Sequence, residues 1–454
     1  MRDFGHSPLL TALYSHSQSQ PDKTALIEGE NEVTYGDLWK NILAAADEME
    51  KEGKKKGDKQ LLMAQKEISF VYQYFAAHLL GVVNVVSDPA STQERLDYIR
   101  EVIAKHDCPV EDTADIMFTT GTTGAPKGVC LTHENIAASA RNINGFIGNG
   151  EDETEVLGLP LSHSFGLGRL RCTLLKGATM VLVGNFANLK VFFDALERHN
   201  ATGFGMVPAV WQYIRRFSGT RISNFAPQLK YIEIGSASMP KEDKELLISL
   251  FPNTRICMHY GLTEASRSFF MEFHQEKNDL STIGVPVSST MKVAIVGEDN
   301  QECPVGADGE ICVTGDHVMH SYLLPEDNET AFWNGYFRTG DWGHVNEQGK
   351  YYLTGRKKEM INVGGKKISP ALIEDAIIAL GFADCACIGI KDPKGVLGEV
   401  PKAFIVKGKV EMSFEEIREK LLAVLEPYEV PVEFEWIEKV PRTSSGKIQR
   451  LSLK

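Results

Sequence analysis

Over roughly its first 110 residues this chain alternates short apolar runs with segments of helical periodicity. Residues 24–27 read as a strand, with 32–35 as its hairpin partner. Leu38, Ile42, Ala45 and Met49 recur at helical spacing within residues 37–50, and residues 69–80 form a second helix. Residues 82–86 read as a buried strand, 53–59 as a solvated basic turn, and 89–113 leave room for one helix. Strand–helix alternation of this kind commits a chain to a doubly wound α/β layer.

The alternation leads into D-I-M-F-T-T-G-T-T-G-A-P-K-G, residues 115–128. Ile116, Met117 and Phe118 read as a buried strand and Val129, Cys130 and Leu131 as a second one, with a helix beginning near Thr132. Between the strands stand Thr119, Thr120, Gly121, Thr122, Thr123, Gly124 and Lys127. Backbone N–H groups in a glycine turn approach an anion closely, because no Cβ holds it away. The threonine hydroxyls add donors and Lys127 a point charge, which together suggest a polyphosphate cradle; a solvated turn is the alternative for such a loop taken alone. A Walker A loop would need Gly before the Lys, Ser or Thr after it, and a helix next. Here Pro126 and Gly128 flank the Lys and a strand follows.

A chain of 454 residues with 43% hydrophobic content predicts two or three domains with a sizeable core. The net charge of −13 disfavours nucleic acid and anionic membrane surfaces as partners. The eight cysteines are scattered without a C-x-x-C pair that would suggest zinc. Cys385 and Cys387 are close together and are expected to face opposite sides of a strand. No signal peptide or long apolar stretch stands out, so a reduced cytoplasmic protein without integral membrane association is expected.

Beyond the loop, residues 156–167 read as a strand running into a loop, P-L-S-H-S-F-G, that holds His163. Residues 177–183 and 202–207 read as strands, 189–198 as an amphipathic helix, and the helix after Pro208 carries Trp211 and Ile214. The strand 229–234 ends in Gly235, Ser236 and Ala237, with a helix from Lys241. The string Y-G-L-T-E then supplies Tyr260, Gly261, Thr263 and Glu264. Strands at 291–296 and 310–314, joined by a turn-rich segment, predict a small antiparallel β subdomain. Y-F-R-T-G-D ends at Asp341, whose Gly340-Asp341 pair reads in isolation as a turn, and L-T-G-R-K-K holds Arg356 and Lys358. After I-N-V-G-G-K-K, the order helix 370–380, strand 385–390, strand 403–406, helix 413–425, strand 434–437 predicts a compact α+β domain of about 95 residues. Its final loop, P-R-T-S-S-G-K-I, holds Lys447. The expected division is 1–355, a hinge at 356–358, and 359–454.

Together and in this order, T-T-G-T-T-G-A-P-K-G, P-L-S-H-S-F-G, the G-S-A turn, Y-G-L-T-E, Y-F-R-T-G-D and P-R-T-S-S-G-K-I resemble the signature segments of the adenylate-forming superfamily. Its members are acyl-CoA synthetases, peptide-synthetase adenylation domains and luciferases. The resemblance implies a large N-terminal domain of layered α/β subdomains plus a small β subdomain, followed by a mobile α+β C-terminal lid. It sets residues Thr119 to Gly124 and Lys127 around the β and γ phosphates of ATP. It places Gly235, Ser236 and Ala237 against adenine, Tyr260 stacked on adenine, Thr263 at the α-phosphate and Glu264 on Mg²⁺. A carboxylate beside phosphates is otherwise repulsive, so a metal reconciles the two. Gly261 and Arg356 are also implied in ATP binding, and Asp341 at the ribose, where two acceptor oxygens suit two hydroxyls. His163 is implied beside the substrate carboxylate, the Trp211 helix along the acyl pocket, and Lys447 as the catalytic lysine. Lys358 is the implied hinge, with Gly364, Gly365 and Lys367 on the pantetheine path.

What the resemblance implies is an ATP-dependent, AMP-forming ligase, most like an acyl- or aryl-CoA synthetase. It would activate a carboxylic acid as acyl-adenylate and pass it to a thiol, coenzyme A or the phosphopantetheine of an acyl carrier protein. Amino-acid-activating members usually carry an Asp in the His163 segment, and none occurs between Leu161 and Leu175. A plain carboxylic acid, such as a fatty acid, is therefore expected. The chain departs from the pattern before the phosphate loop, where it looks trimmed by roughly one βαβ unit of about 30 residues. Two other classes compete with this reading: a P-loop NTPase releasing ADP, opposed by Pro126 and Gly128, and a catalytically silent binding protein, opposed by Lys447 and Glu264.

Overall fold

The computed structural model describes residues 3–119, 125–408, 410–442 and 448–453. They fall into two compact units, residues 3–119, 125–293 and 313–337 in the first, and 294–312 and 338–453 in the second. No helix among the described residues is long and apolar enough to cross a membrane.

The first unit holds two sheets. The nine-stranded sheet runs, in spatial order, Val285–Pro286, Phe269–Glu272, Arg255–Tyr260, Tyr231–Ile234, Gly203–Met206, Thr154–Leu157, Thr179–Leu182, Thr24–Glu28 and Asn31–Thr34. Its central strands are parallel and its outer ones antiparallel. The second sheet runs Ser321–Tyr322, Gly128–Thr132, Thr113–Phe118, Val83–Ser87 and Lys59–Met63, the last three parallel. Amphipathic helices cover these sheets as their spacing requires. Tyr35–Lys51 starts at Thr34, whose hydroxyl accepts from Asp37 N–H, and buries Leu38, Ile42, Ala46 and Met49. Gln93–Lys105 packs Ile99, Val102 and Ile103 on Val83, Val85 and Ile116.

The helix Ser164–Lys176 falls where a continuing loop was expected. Every residue from Phe165 to Leu174 is buried. It joins the two sheets through two arginines, whose positions two residues apart project about 200° from each other around the helix. Arg169 donates to Glu155 (2.8 Å) and Glu233 (3.0 Å) of the nine-stranded sheet. Arg171 pairs with Asp115 of the other, and Asp115 also accepts from the Tyr74 hydroxyl at 2.7 Å and lies 3.0 Å from His78 Nε2. Burial alone would raise the Asp115 carboxyl, but Arg171 and His78 hold it at about 2. The strand Lys59–Met63 and the helix Pro8–Ser19 were likewise not anticipated.

In the second unit, residues 294–296, 309–312 and 338–345 are neighbouring strands, and Tyr351–Arg356 pairs antiparallel with the last. Gly340 and Asp341 lie within a strand, not in a turn. A hairpin of Ile361–Val363 and Lys366–Ile368 follows. Then Asp384–Lys391 pairs antiparallel with Glu399–Val406, and Glu433–Ile437 parallel with it, backed by helices Pro370–Ala379 and Phe414–Leu422. Cys385 and Cys387 both enter the core of this sheet, beside Ile373, Ile377 and Ile405. The expectation of opposite faces is corrected: side chains alternate with a period of two, so residues two apart share a face.

Candidate active site

Four of the expected segments leave one edge of the nine-stranded sheet. Parallel strands ending at Leu157, Met206, Ile234 and Tyr260 lead into the His163 loop, the Trp211 helix, the Gly235 turn and the Gly261–Glu264 turn. The chain passes from Thr154–Leu157 to Thr179–Leu182 on one side, then returns to Gly203–Met206 on the other. Such a reversal opens a crevice at the carboxyl ends of the strands, where open α/β sheets bind ligands. The carboxyl edge of the second sheet reaches the same place. Asp88, next after Val83–Ser87, accepts from the Ser162 hydroxyl at 2.9 Å. Lys66 donates to the Gly158 carbonyl at 2.8 Å, and burial lowers its pKa to about 8.

The strands flanking the Gly/Thr-rich loop pair antiparallel from Phe118↔Gly128 outward. The Thr119 amide donates to Lys127 O (3.0 Å) and the Lys127 amide to Thr119 Oγ1 (3.2 Å), so these two residues close the loop's base. Thr120, Gly121, Thr122, Thr123 and Gly124 lie outside the described residues. Arg95 braces the base, donating to the carbonyls of Phe118 (3.1 Å) and Thr119 (3.2 Å). Lys127 Nζ lies 2.9 Å from Asp327 Oδ1 and 4.9 Å from the centre of the Tyr322 ring. The Tyr322 hydroxyl donates to Glu264 Oε1 at 2.8 Å, and the Met319 amide to the Glu264 carbonyl at 2.7 Å. The structure therefore brings Lys127 and Glu264 to one tyrosine, the lysine over its ring and the carboxylate at its hydroxyl.

Tyr260 ends its strand with its ring edge-on to Phe269. Leu262 and Ala265 exchange backbone hydrogen bonds of 3.1 and 3.2 Å, a tight turn that presents Thr263 and Glu264. Ser236 sits at φ 76°, a strained value for a non-glycine residue, between buried Gly235 and exposed Ala237. His163 is the residue before the first turn of Ser164–Lys176 and is half-buried. Trp211 is fully buried, and its Nε1 has no hydrogen-bond partner among the described residues.

In the second unit, Arg356 Nε lies 2.8 Å from Asp341 Oδ1, the two residues facing each other across paired strands. Lys358 is exposed in the turn 357–359 that follows. Gly364 (φ 60°) and Gly365 (φ 89°) form the two-residue turn of a hairpin, a geometry that requires glycine-like backbone at both positions. Lys367 pairs with Glu298 and lies 4.8 Å over the Trp342 ring. Lys447 lies outside the described residues, while Arg442 and Ile448 on its flanks form an antiparallel bridge.

Among the described residues no three His, Cys, Asp or Glu side chains converge as a metal cage. The single buried carboxylate of Glu264 fits a Mg²⁺ ion that keeps water and takes phosphate oxygens as its other ligands. Sequence reasoning missed Arg95, Tyr322, Asp327, Lys66, Asp88, Glu233 and Arg267. Arg95 carried one local signal, since it lies in the helix preceding the loop.

The arrangement is that of an AMP-forming acid–thiol ligase. The chain belongs to the AMP-binding enzyme family, whose model matches residues 13–104 and 100–323, with the family's C-terminal domain matching 372–447. It is 30% identical to a 2-succinylbenzoate–CoA ligase of Bacillus subtilis, over 97% of each chain. It is also 30% identical to the long-chain-fatty-acid–CoA ligase FadD13 of Mycobacterium tuberculosis, over 86% of this chain and 81% of that one. The solved structure of o-succinylbenzoate CoA synthetase (MenE) from Bacillus subtilis, in complex with ATP and a magnesium ion, superposes with a TM-score of 0.87 at 26% identity, covering 97% of this chain and 98% of that one. The same synthetase with its acyl-adenylate intermediate gives a TM-score of 0.85, covering 98% and 97%.

Proposed function

We propose that this enzyme activates a carboxylic acid without an α-ammonium group and transfers the acyl group to coenzyme A. The supporting observation is the single sheet edge that carries the His163 loop, the Trp211 helix, the Gly235 turn and Glu264. A carboxylate oxygen attacks the α-phosphorus of ATP, the bond from that phosphorus to the bridging oxygen breaks, and pyrophosphate leaves. A thiolate then attacks the acyl carbonyl and AMP leaves. Both partners in the first step are anions, so Lys127, Lys447 and the loop donors would offset the charge that builds up. Mg²⁺ held at Glu264 supplies further neutralisation when bound. Asp341 and Arg356 would hold the ribose end, with Gly364, Gly365 and Lys367 along the pantetheine path.

The division 1–355, hinge 356–358 and lid 359–454 is part of the same reading, as is a cytoplasmic location. An exposed turn at Lys358 supports the hinge. A trimmed wall of the acyl pocket is supported by the family match, which falls into two segments meeting at residues 100–104.

Lys447→Ala tests the assignment of the steps. Acid-dependent ATP–pyrophosphate exchange should fall on the order of 100- to 1000-fold. Thioester formation from pre-made acyl-AMP should be largely spared, because the lysine's charge helps only while pyrophosphate departs. Equal loss of both would contradict the role given to Lys447. Replacing coenzyme A by a phosphopantetheinyl carrier protein in the same assay separates the two acceptors.

A further inference from the structure

We propose that Arg267 is a positioning residue for acyl-adenylate formation, fixing the loop of the acid against the turn that carries Glu264. The proposal rests on the adenylate-forming reading above and names a device for it. Arg267 stands three residues beyond Glu264 and is 2% exposed. Its Nη1 donates to the Ser164 carbonyl (2.7 Å) and to Ser266 Oγ (3.1 Å), and its Nη2 to the Phe165 carbonyl (2.8 Å). Its Nε donates to Glu233 Oε1 at 3.1 Å. Ser164 and Phe165 directly follow His163, and Glu233 precedes the Gly235 turn by two residues. One side chain thus ties together three of the segments that leave the carboxyl edge.

The surrounding chain is shaped to admit it. Arg267 has φ 56°, in the left-handed region that non-glycine residues rarely enter. Backbone held there persists only where neighbours over-determine it, and such residues concentrate at functional sites. The helix that carries the Ser164 and Phe165 carbonyls can come this close only through Gly168, where a Cβ would lie 2.3 Å from Arg267 Nη1.

Glu233 is the centre of a buried charge cluster. Besides Arg267 it accepts from Arg169, and His259 Nδ1 lies 2.7 Å from it. Arg169 is shared with Glu155, whose Oε2 also accepts from the Tyr231 hydroxyl at 2.7 Å. Burial would raise the Glu233 carboxyl, but Arg267 and Arg169 hold it well below the usual range. Burial lowers His259, outweighing Glu233, so the cluster balances two arginines with two glutamates. Buried ion pairs of this kind are weak devices for stability, since apolar side chains of similar volume often serve as well. What they supply is direction: a planar guanidinium with several donors sets two backbone segments at one distance and angle.

That direction matters for one half-reaction. Adenylation brings a carboxylate oxygen and a phosphorus, held by different segments, into contact, and a 1 Å misplacement costs about 100-fold. Once the acyl-adenylate exists the two halves are covalently joined, and their relative alignment no longer depends on the protein.

The test is the double variant Glu233→Gln/Arg267→Met, which removes both charges at nearly constant volume. Arg267→Lys accompanies it and leaves Glu233 its cation, so that a folding defect in the first does not decide the outcome. In folded protein, judged by Tm and circular dichroism, acid-dependent ATP–pyrophosphate exchange should fall about 100-fold with a raised KM for the acid. Thioester formation from pre-made acyl-AMP should stay near the wild-type rate. Arg267→Lys should show the same split, because one ammonium cannot span the two carbonyls and Glu233. Wild-type exchange in either folded variant, or equal loss of both half-reactions, would overturn the proposal and leave the cluster a structural one. Absence of acid-dependent exchange in the wild-type protein would instead defeat the adenylate-forming reading, and the proposal with it.

Discussion

The Tyr322 hydroxyl donates a 2.8 Å hydrogen bond to Glu264 Oε1, while the ring of the same residue lies 4.9 Å from Lys127 Nζ. Tyr322 also pairs with Val129 on the strand that follows the Gly/Thr-rich loop, so its position is set by the backbone of that strand. Tyr322→Phe keeps the ring and deletes only the bond to the carboxylate. ATP affinity measured by calorimetry with Mg²⁺ present should weaken by about 1.5 kcal/mol, the scale of a hydrogen bond to a charged group. Affinity without Mg²⁺ should hold. Equal weakening in both conditions would contradict a role for Tyr322 in presenting Glu264 to the metal.

Asp341→Ala should weaken ATP binding by about 1.5–3 kcal/mol, through loss of charge-assisted hydrogen bonds. The fold should survive, because the Arg356 side chain is 41% exposed and water can solvate it once Asp341 is gone. Calorimetry reads the affinity and a thermal melt reads the fold. An unchanged affinity would remove Asp341 from the site.

Lys358→Pro should separate the half-reactions. Proline fixes φ near −65° and biases the residue before it away from the helical region. A hinge that works through a few backbone torsions would be held by it. Acyl-AMP should then accumulate in the presence of coenzyme A. Thioester turnover at the wild-type rate would place the hinge elsewhere.

His133 makes stability pH-dependent. Its ring is edge-on to His6 and His78 at 4.8 Å each, and Asp115 and Arg171 act on it from the adjoining strand and helix. Burial, with His78 and His6, lowers its pKa from 6.5 to about 2. The unfolded chain binds a proton below 6.5 and the folded one does not, so this contribution is complete above pH 6.5 and is lost as pH falls toward 2. The slope for one such group is about 1.4 kcal/mol per pH unit. His133→Gln should flatten the dependence of Tm on pH below 6.5, and an unchanged slope would contradict the assignment.

Much of the fold was legible because half-buried strands and one-sided helices carry their period in the sequence. Ser164–Lys176 does not. It is buried between two sheets, and its Arg169 and Arg171 are 0% and 4% exposed, so no one-sided apolar stripe marks it. Lys59–Met63 was hidden by the basic run before it, and only pairing with Val83–Ser87 defines it. The site strings could be read because each is continuous. Tyr322 could not, being 58 residues from the carboxylate it holds. Nor could Glu233 and Arg267, which meet only once three strand ends lie side by side. The hairpin geometry of Gly364 and Gly365 also gives those glycines a local reason that the string alone did not separate from ligand binding.

The nucleotide product separates adenylation of an acid from release of ADP. The protein is incubated with ATP, Mg²⁺ and a panel of carboxylic acids, with and without coenzyme A, and the mixture is resolved by HPLC. AMP and pyrophosphate should form in equal amounts and only with a cognate acid, and an acyl thioester should appear when coenzyme A is added. ADP and phosphate as products, or AMP formation indifferent to every acid, would rule out an AMP-forming acid–thiol ligase.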